Sequence, residues 1–462
     1  MIDLKYLKGL LVLALPALLS VPAGAQQAAT LSAQNTPAPA RRIQFGFDQR
    51  IRNEDWNNLF DYSDKINDKR EQMRYRTMFW ATGPLSDSVD FTAGLNSETT
   101  HKHCPGASPS ACVSRFDEFV FDRLYFDFKK VWVKGLALRI GRQNIQEGEG
   151  FLFLEGDPGD GSKSIYVNAV DLNYTWKKSK LELIGIFDPK TDRWLPKIHA
   201  QDPPKPLNDW DDEAVGLYYT DKNRAKTNYE TYYFYKKEVH DYKANLAAVI
   251  QPDRYIHTAG GRVVQLVTPT VSLTGEWVQQ WGAQHDSKRI AAWGGYGYAR
   301  KAFNLKWKPY ILGGYWAMSG ADPASTTVNG NFDPIFARWP KFSELYLYSQ
   351  LKEFGIGMNT NLNQVQGEVG LSPWKPLNWR LTYFHMGAYH AFPGNAAIFG
   401  SGLTRGELLV TRVDYVINKN WSGHSTIEHV TPGDFYKERS PSYFLQFEIS
   451  YRFLFSAPMP RL

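Results

Sequence analysis

The segment Tyr443–Phe453 alternates strictly. Tyr443, Leu445, Phe447, Ile449, Tyr451 and Phe453 occupy one parity, and Phe444, Gln446, Glu448, Ser450 and Arg452 the other. Successive side chains of a strand point to opposite faces, so this segment carries one apolar face and one that is largely polar and charged. Aromatic residues stand at both ends of the apolar face, the pattern of a barrel strand with lipid outside, water inside and aromatic girdles at both interfaces. The alternative is an edge strand of a soluble sandwich, and the rest of the chain weighs against it.

The same period recurs along the chain. It predicts strands at 43–51, 70–80, 89–98, 116–128, 136–144, 164–175, 181–187, 213–220, 228–237, 256–267, 271–281, 289–299, 306–316, 362–372, 379–388, 406–416, 421–430 and 442–453. That makes eighteen, an even number, as a closed single-chain barrel expects. Short connections (Lys177–Lys180, Pro373–Pro376, Asn418–Asn420) alternate with long ones (52–69, 99–115, 145–163, 188–212, 238–255, 317–361, 389–405). Short periplasmic turns and long external loops are the habit of outer-membrane barrels. The fold class expected is therefore all-β, a transmembrane antiparallel barrel of porin type.

The N-terminus sets the compartment. Lys5 and Lys8 precede an apolar run, Gly9 to Val21, and Ala23-Gly24-Ala25 offers a cleavage site before Gln26. This is the pattern of a secretory signal peptide, too short in its apolar part to span a bilayer as a helix. The organisation expected is a signal peptide at 1–25, a disordered lead-in at 26–42, a barrel at 43–455 and a tail at 456–462.

Composition agrees with a barrel more than it decides for one. No later segment approaches the ~18 consecutive apolar residues of a membrane helix. Mean hydropathy is that of a soluble protein, which a barrel shares because only alternate residues face lipid. Aromatic residues reach 15%, with 26 Tyr and 15 Trp, more than a soluble enzyme needs and natural for interfacial belts. The net charge of +6 is spread along the chain, and no basic run points to nucleic acid.

Parity predicts which charges face inward. Charge facing mid-bilayer lipid costs about 2–4 kcal/mol for Arg or Lys, so the polar parity belongs to the lumen. On this basis Arg74 and Arg76, Arg123 and Asp127, Arg139, Arg412 and Asp414, His424 and Glu428, and Arg452 line the lumen. Arg142 has the parity of Ile140, and a bulge at Gly141 is expected to turn it inward. His385 is expected in the lumen and His390 in a loop. These charges either tune the selectivity of a water-filled channel or merely fill it with salt bridges.

Cys104 and Cys112 flank a loop-like Pro-Gly-Ala-Ser-Pro-Ser stretch, and after export a disulfide closing it is expected. Nearby His101 and His103 meet no standard zinc spacing. Gly156–Gly161 resembles a calcium loop but lacks the ligand order of an EF-hand. Glu147, Glu149, Glu155, Asp157 and Asp160 read as a solvated acidic loop, with a gate over the basic lumen as the functional alternative. Nucleophile elbows, phosphate loops and paired metal ligands are not found, so no catalytic residue, metal or cofactor is expected.

Three elements carry a family resemblance. Leu138–Gln143 with its following acidic, Gly-rich loop, Pro309–Gly320 running on to Asn331–Phe336, and Val430–Tyr436 with the terminal Tyr451–Phe453 resemble elements of the alginate-export porin family, in order and across nearly the whole mature chain. The resemblance implies a monomeric eighteen-stranded outer-membrane barrel whose type member conducts an anionic uronate polymer through an arginine-rich constriction. Arg139, Arg142 and Arg452 sit where the motifs have arginine. Basic positions of the exporter fall on His424 and Thr426, and another motif arginine is replaced by Asn144, so a weaker positive field is implied. The expected partners are outer-membrane lipid, an anionic polysaccharide or small hydrophilic solute, and a periplasmic export partner. Polymer export predicts lumen charge of one sign. A general or substrate-specific porin predicts mixed charge and a loop folded inward. An outer-membrane hydrolase or a plugged structural barrel is the reading from another class.

Overall fold

Each strand forms because its alternation satisfies two solvents at once, and the computed structural model shows how those strands join. It describes residues 42–65, 67–104, 114–116, 119–155, 166–190, 192–198, 211–239, 253–337, 342–349, 353 and 358–458. Among them eighteen long strands follow one another around a closed antiparallel barrel. They are β1 (Arg42–Asn57), β2 (Arg70–Pro84), β3 (Val89–His103), β4 (Val120–Phe128), β5 (Leu136–Gln143), β6 (Val167–Trp176), β7 (Ser179–Asp188), β8 (Asp211–Asp221) and β9 (Thr227–Val239). Then come β10 (Arg254–Thr268), β11 (Val271–Gln284), β12 (Arg289–Ala302), β13 (Tyr310–Met318), β14 (Leu362–Trp374), β15 (Leu377–Gly387), β16 (Thr404–Val416), β17 (Trp421–Pro432) and β18 (Ser442–Pro458). The seam closes where β1 pairs with β18 from Arg42↔Pro458 to Asn57↔Tyr443. No described helix is long and apolar enough to cross a membrane; strands cross instead.

Burial follows parity. In β18 Phe444, Gln446 and Glu448 are buried, while Leu445 and Phe447 are exposed on the outer wall. In β1 Asp48, Arg50, Arg52, Glu54 and Trp56 turn inward and Phe45 and Ile51 outward. Several strands run further than expected, β1, β3 and β18 by five or six residues at one end. β1 continues past Ile51 to Asn57, because Glu54 and Trp56 keep the inward parity. β18 continues past Phe453 to Pro458, paired throughout with β1. β13 starts later, at Tyr310, because Trp307 and Lys308 take positive φ in the preceding turn (71° and 46°).

Short turns join β2–β3, β4–β5, β6–β7 and their successors at the end where the chain enters and leaves, which is periplasmic by the barrel rule. The described parts of two long connections at the opposite end, 144–155 with 166 and 319–337 with 342–349, 353 and 358–361, turn into the lumen. Phe151, Leu152 and Phe153 of the first meet Phe332, Ile335 and Phe336 of the second as one buried cluster. Phe151 stacks on Phe332 at 5.3 Å and Phe153 lies 4.8 Å from Phe336. The two loops also bond through their backbones, Leu154 N–H to Phe336 O and Phe336 N–H to Leu152 O. The wall supplies Phe234, Tyr296 and Trp316 to the same cluster. The core of this barrel therefore lies inside its lumen. A short helix, α1 (Glu344–Ser349), belongs to the second loop.

Candidate functional site: the barrel lumen

A ladder of charge crosses the seam. Arg50 reaches Glu98 at 3.1 Å, Arg52 reaches Glu448 at 2.6 Å, and Arg74 bridges Glu54 at 2.7 Å and Glu98 at 2.9 Å. Arg76 and Arg452 both meet Asp48, at 3.5 and 2.9 Å. Alternate positions on neighbouring strands put these groups on one face, and almost all are fully buried. An ion pair this deep is held by geometry and by hydrogen bonds that fill the remaining lone pairs.

The second loop is clamped to this wall by charge. Arg405 is fully buried and grips Glu353 through both guanidinium nitrogens at 2.7 Å. Gly406 makes that possible: its φ of +127° accompanies a register shift that turns Arg405 inward, out of its parity. Arg254 joins Glu238 to Asp333 of the loop. Lys236 sits between Asp212 and Glu238, at 3.1 and 2.8 Å, and donates to Ile335 O at 2.8 Å. Glu428 accepts from Ser343 Oγ and from the N–H groups of Glu344 and Leu345 at 3.0 and 3.1 Å, so it caps the first turn of α1.

The first loop is held more lightly. Glu147 lies 3.5 Å from Lys180, and Glu149 accepts from Arg262 at 2.9 Å and from the Tyr298 hydroxyl. Burial raises the Glu147 carboxyl well above the ordinary carboxylate range; the adjacent Glu182 raises it further and Lys180 opposes. Nearby, Asp192 shows the reverse: burial pushes it up, but the hydrogen bond and charge of Arg142 more than offset that, and its carboxyl lies below the usual value.

The periplasmic half is open. Arg139 forms a two-pronged pair with Asp127 at 2.7 and 3.1 Å, and Arg412 and Arg380 share Asp414 at 2.8 and 3.8 Å. Arg300 stacks on Tyr310 at 4.0 Å and Arg123 on Trp80 at 5.0 Å. In most of these pairs the cation is the wetter partner. Arg452 is 57% exposed against 3% for Asp48, and Lys180 38% against 5% for Glu182. Long cationic side chains reach the water while the shorter carboxylates stay at the wall. Arg412 is the exception, less exposed than Asp414.

The predicted residues separate into groups. Arg74, Arg76 and Arg452 join the seam ladder, Arg123, Asp127, Arg139, Arg412 and Asp414 line the open half, and Glu428 holds α1. His424 hydrogen-bonds Gln446 at 2.6 Å beside Glu448. Arg142 joins neither set: Asp192, Asn168 and the Phe121 carbonyl hold it. The bulge expected at Gly141 is absent, since the ladder passes it without an inserted residue. Gly141 instead takes a φ of +129°, and the insertion lies across from Gly94 and Leu95, at Asp122 of β4. His385 faces outward, where it bonds Glu407 at 2.7 Å, because β15 keeps Thr382, Phe384 and Met386 inside. Cys104 carries a disulfide bond. Cys112, the Glu155 side chain, Asp157, Asp160 and the Gly156–Gly161 segment lie outside the described residues.

Several lumen residues escaped the sequence. Arg50, Arg52, Glu54, Glu98, Lys236 and Glu448 have the right parity and were legible from it. Glu353 lies in a loop without period and nothing marked it, while Asp333 falls inside the Asn331–Phe336 element of the family resemblance without a role attached to it. Among the described residues no three metal-ligating side chains cluster together.

Solved structures share the architecture. Pseudomonas aeruginosa OccK8 (OprE) aligns with a TM-score of 0.54 at 10% identity, over 89% of this chain and 98% of that one. P. aeruginosa OpdO gives 0.53 at 11%, over 89% and 97%, and P. aeruginosa OpdK, solved with vanillate, 0.51 at 11%, over 89% and 99%. These likenesses show the fold. No curated protein matches the chain. Residues 41–447, nearly the whole barrel, match the alginate export family, and the chain belongs to that family of outer-membrane barrels.

Proposed function

We propose that this chain is a passive outer-membrane channel for small hydrophilic anions, short acidic saccharides among them, and that its two lumen loops set the aperture. The observation that carries this reading is the loop pair: both connections fold into the lumen and are clamped there by wall charges, the first reaching as far as Lys180 near the periplasmic turn. A long polymer needs a continuous wide path, whereas a small solute needs only a narrow one. Mixed charge in the lumen supports the same choice, and the wetter cations of the open half favour anions. Passage is by diffusion through a monomer, without catalysis or cofactor.

Polymer export is the second reading, supported by family membership and by arginine at the three matching positions, 139, 142 and 452. It requires both loops to withdraw, and it brings a periplasmic partner. Planar-bilayer recording of the refolded protein separates the readings, with uronate oligomers of increasing length as blockers. Anion-selective current blocked by mono- and disaccharide acids, with block that weakens as the oligomer lengthens, supports small-solute passage. Block that strengthens with length supports export. Absence of current under all conditions refutes both and leaves a plugged structural barrel.

A further inference from the structure

Beside the seam the outer wall carries a dent, where small side chains interrupt a band of large apolar ones. Along one level the paired positions read Phe455, Phe45, Ala81, Ala93, Leu124 across β18, β1, β2, β3 and β4. The level above reads Phe453, Phe47, Phe79, Leu95, Phe121. Two adjacent alanines thus stand among large residues along these two levels, and the wall is dented there. The dent is a cavity of about 480 Å³, walled by phenylalanines and floored by Ala81, Ala93 and the backbone of Gly46 and Gly94. It opens onto the outer surface, where Phe45, Phe79, Phe453 and Phe455 are exposed.

Its depth and its lower margin indicate what fills it. Ala81 lies three residues from the periplasmic end of β2. At a strand rise of ~3.3 Å and a tilt of ~40°, that is roughly 8 Å above the rim, within the acyl region of the periplasmic leaflet. Phe126 and Phe128 continue the outer face of β4 down to the turn Lys129–Gly135. That turn presents Trp132, 92% exposed, with Val133 beside it. Its Lys130 and Lys134 are exposed and make no ion pair among the described residues, whereas Lys129 is bound to Asp90 at 2.6 Å. An interfacial tryptophan flanked by unpaired lysines is suited to anionic headgroups.

We infer that this face holds one anionic phospholipid of the periplasmic leaflet, with an acyl chain in the Ala81–Ala93 cavity and its phosphate at Lys130 and Lys134. The cavity supplies shape and the turn supplies charge, and strand β4 joins the two. The lipid staples the first strands beside the seam.

Native mass spectrometry of the barrel, released from bilayer discs of mixed phosphatidylglycerol and phosphatidylethanolamine, tests this. One retained phosphatidylglycerol per barrel is expected. Filling the cavity with Ala81→Phe and Ala93→Phe should abolish retention. Lys130→Gln and Lys134→Gln should each reduce the preference for phosphatidylglycerol about fivefold, with retention through the cavity otherwise kept. Heat-modifiable migration on gels reports that each variant is a folded barrel, and the lysine variants lie in an exposed turn that leaves the strands intact. Equal retention by the cavity-filled barrel would mean ordinary annular lipid, and a lipid-free pair of barrels would mean a dimer contact; either result overturns the inference.

Discussion

Glu353 is the most informative residue to remove. Both its oxygens accept from Arg405, and the pair is fully buried, at 0% and 1% exposure. Glu353→Ala leaves the guanidinium inside the docked assembly with its charge unpaired. Removing one member of a buried pair costs about 3–5 kcal/mol. The lower end applies here. Arg405 keeps two bonds to Asn361 O, at 3.1 and 3.0 Å, one to the Tyr346 hydroxyl at 2.7 Å, and its stacking on Phe435 at 4.0 Å. The penalty falls on the docked state alone, because withdrawal of the loop would let water reach Arg405. A shift of ~3 kcal/mol moves the docked-to-withdrawn ratio by roughly two orders of magnitude. Single-channel recording should then show larger or longer openings in Glu353→Ala than in the parent protein. The double variant Arg405→Met with Glu353→Met should return towards parental traces, since a buried ion pair replaced by apolar groups of similar volume is often neutral. Unchanged openings in a folded Glu353→Ala barrel would refute the clamp.

Glu147 gives a pH test. Its pKa is raised in the docked loop, so its contribution is complete below the ordinary carboxylate pKa and is lost as pH rises through the docked value. The groups facing it are Glu182 and Lys180 of β7, Tyr218 of β8, Glu230 of β9 and Arg262 of β10, with Glu149 on its own loop. Open-channel occupancy should therefore rise with pH, and Glu147→Gln should flatten that dependence in the same recordings. Reversing Arg380 and Arg412 to Glu should lower the anion-over-cation permeability ratio by about tenfold, the small end of what a focused lumen field delivers, as read from reversal potentials in a salt gradient. Val369→Arg, on the lipid side of β14, should cost about 2–4 kcal/mol in denaturant titrations of folding into vesicles.

The barrel wall was legible because its signal is repeated. Every crossing strand must satisfy lipid and water at once, so Arg74, Arg76, Arg139 and Arg452 were placed by parity alone. β1 was cut short at Ile51 because five of the six residues that follow it are charged or carboxamide, which reads as a loop until Glu54 and Trp56 are seen to face inward. Parity failed where the backbone leaves its regular conformation. Gly406 turns Arg405 against its neighbours, and Gly141 carries a positive φ without an inserted residue. His385 was misplaced by its polarity, although its own strand has Phe384 and Met386 inside the barrel and Tyr383 and His385 outside, where both meet Glu407 of β16. The course of the lumen loops was not legible from period, although an acidic gate at Glu147 and Glu149 and a loop folded inward stood among the alternatives. Phe332, Phe336 and Glu353 are ordered by contact with distant strands, and no local period encodes such contact.

The ladder across the seam also bears on how the barrel shuts. In the native register Arg52 faces Glu448, Asp48 faces Arg452 and Arg50 faces Ser450. A slip of one residue turns the whole inner face of β18 outward. A slip of two keeps the faces, yet in one direction it sets Glu54 against Glu448 and Arg50 against Arg452, like against like twice over. In the other direction it separates Asp48 from Arg452. The first and last strands are the pair farthest apart in the sequence, and no hairpin turn fixes their register. Their charges act as a lock that accepts one alignment, so fidelity of closure is written into the same side chains that later narrow the passage.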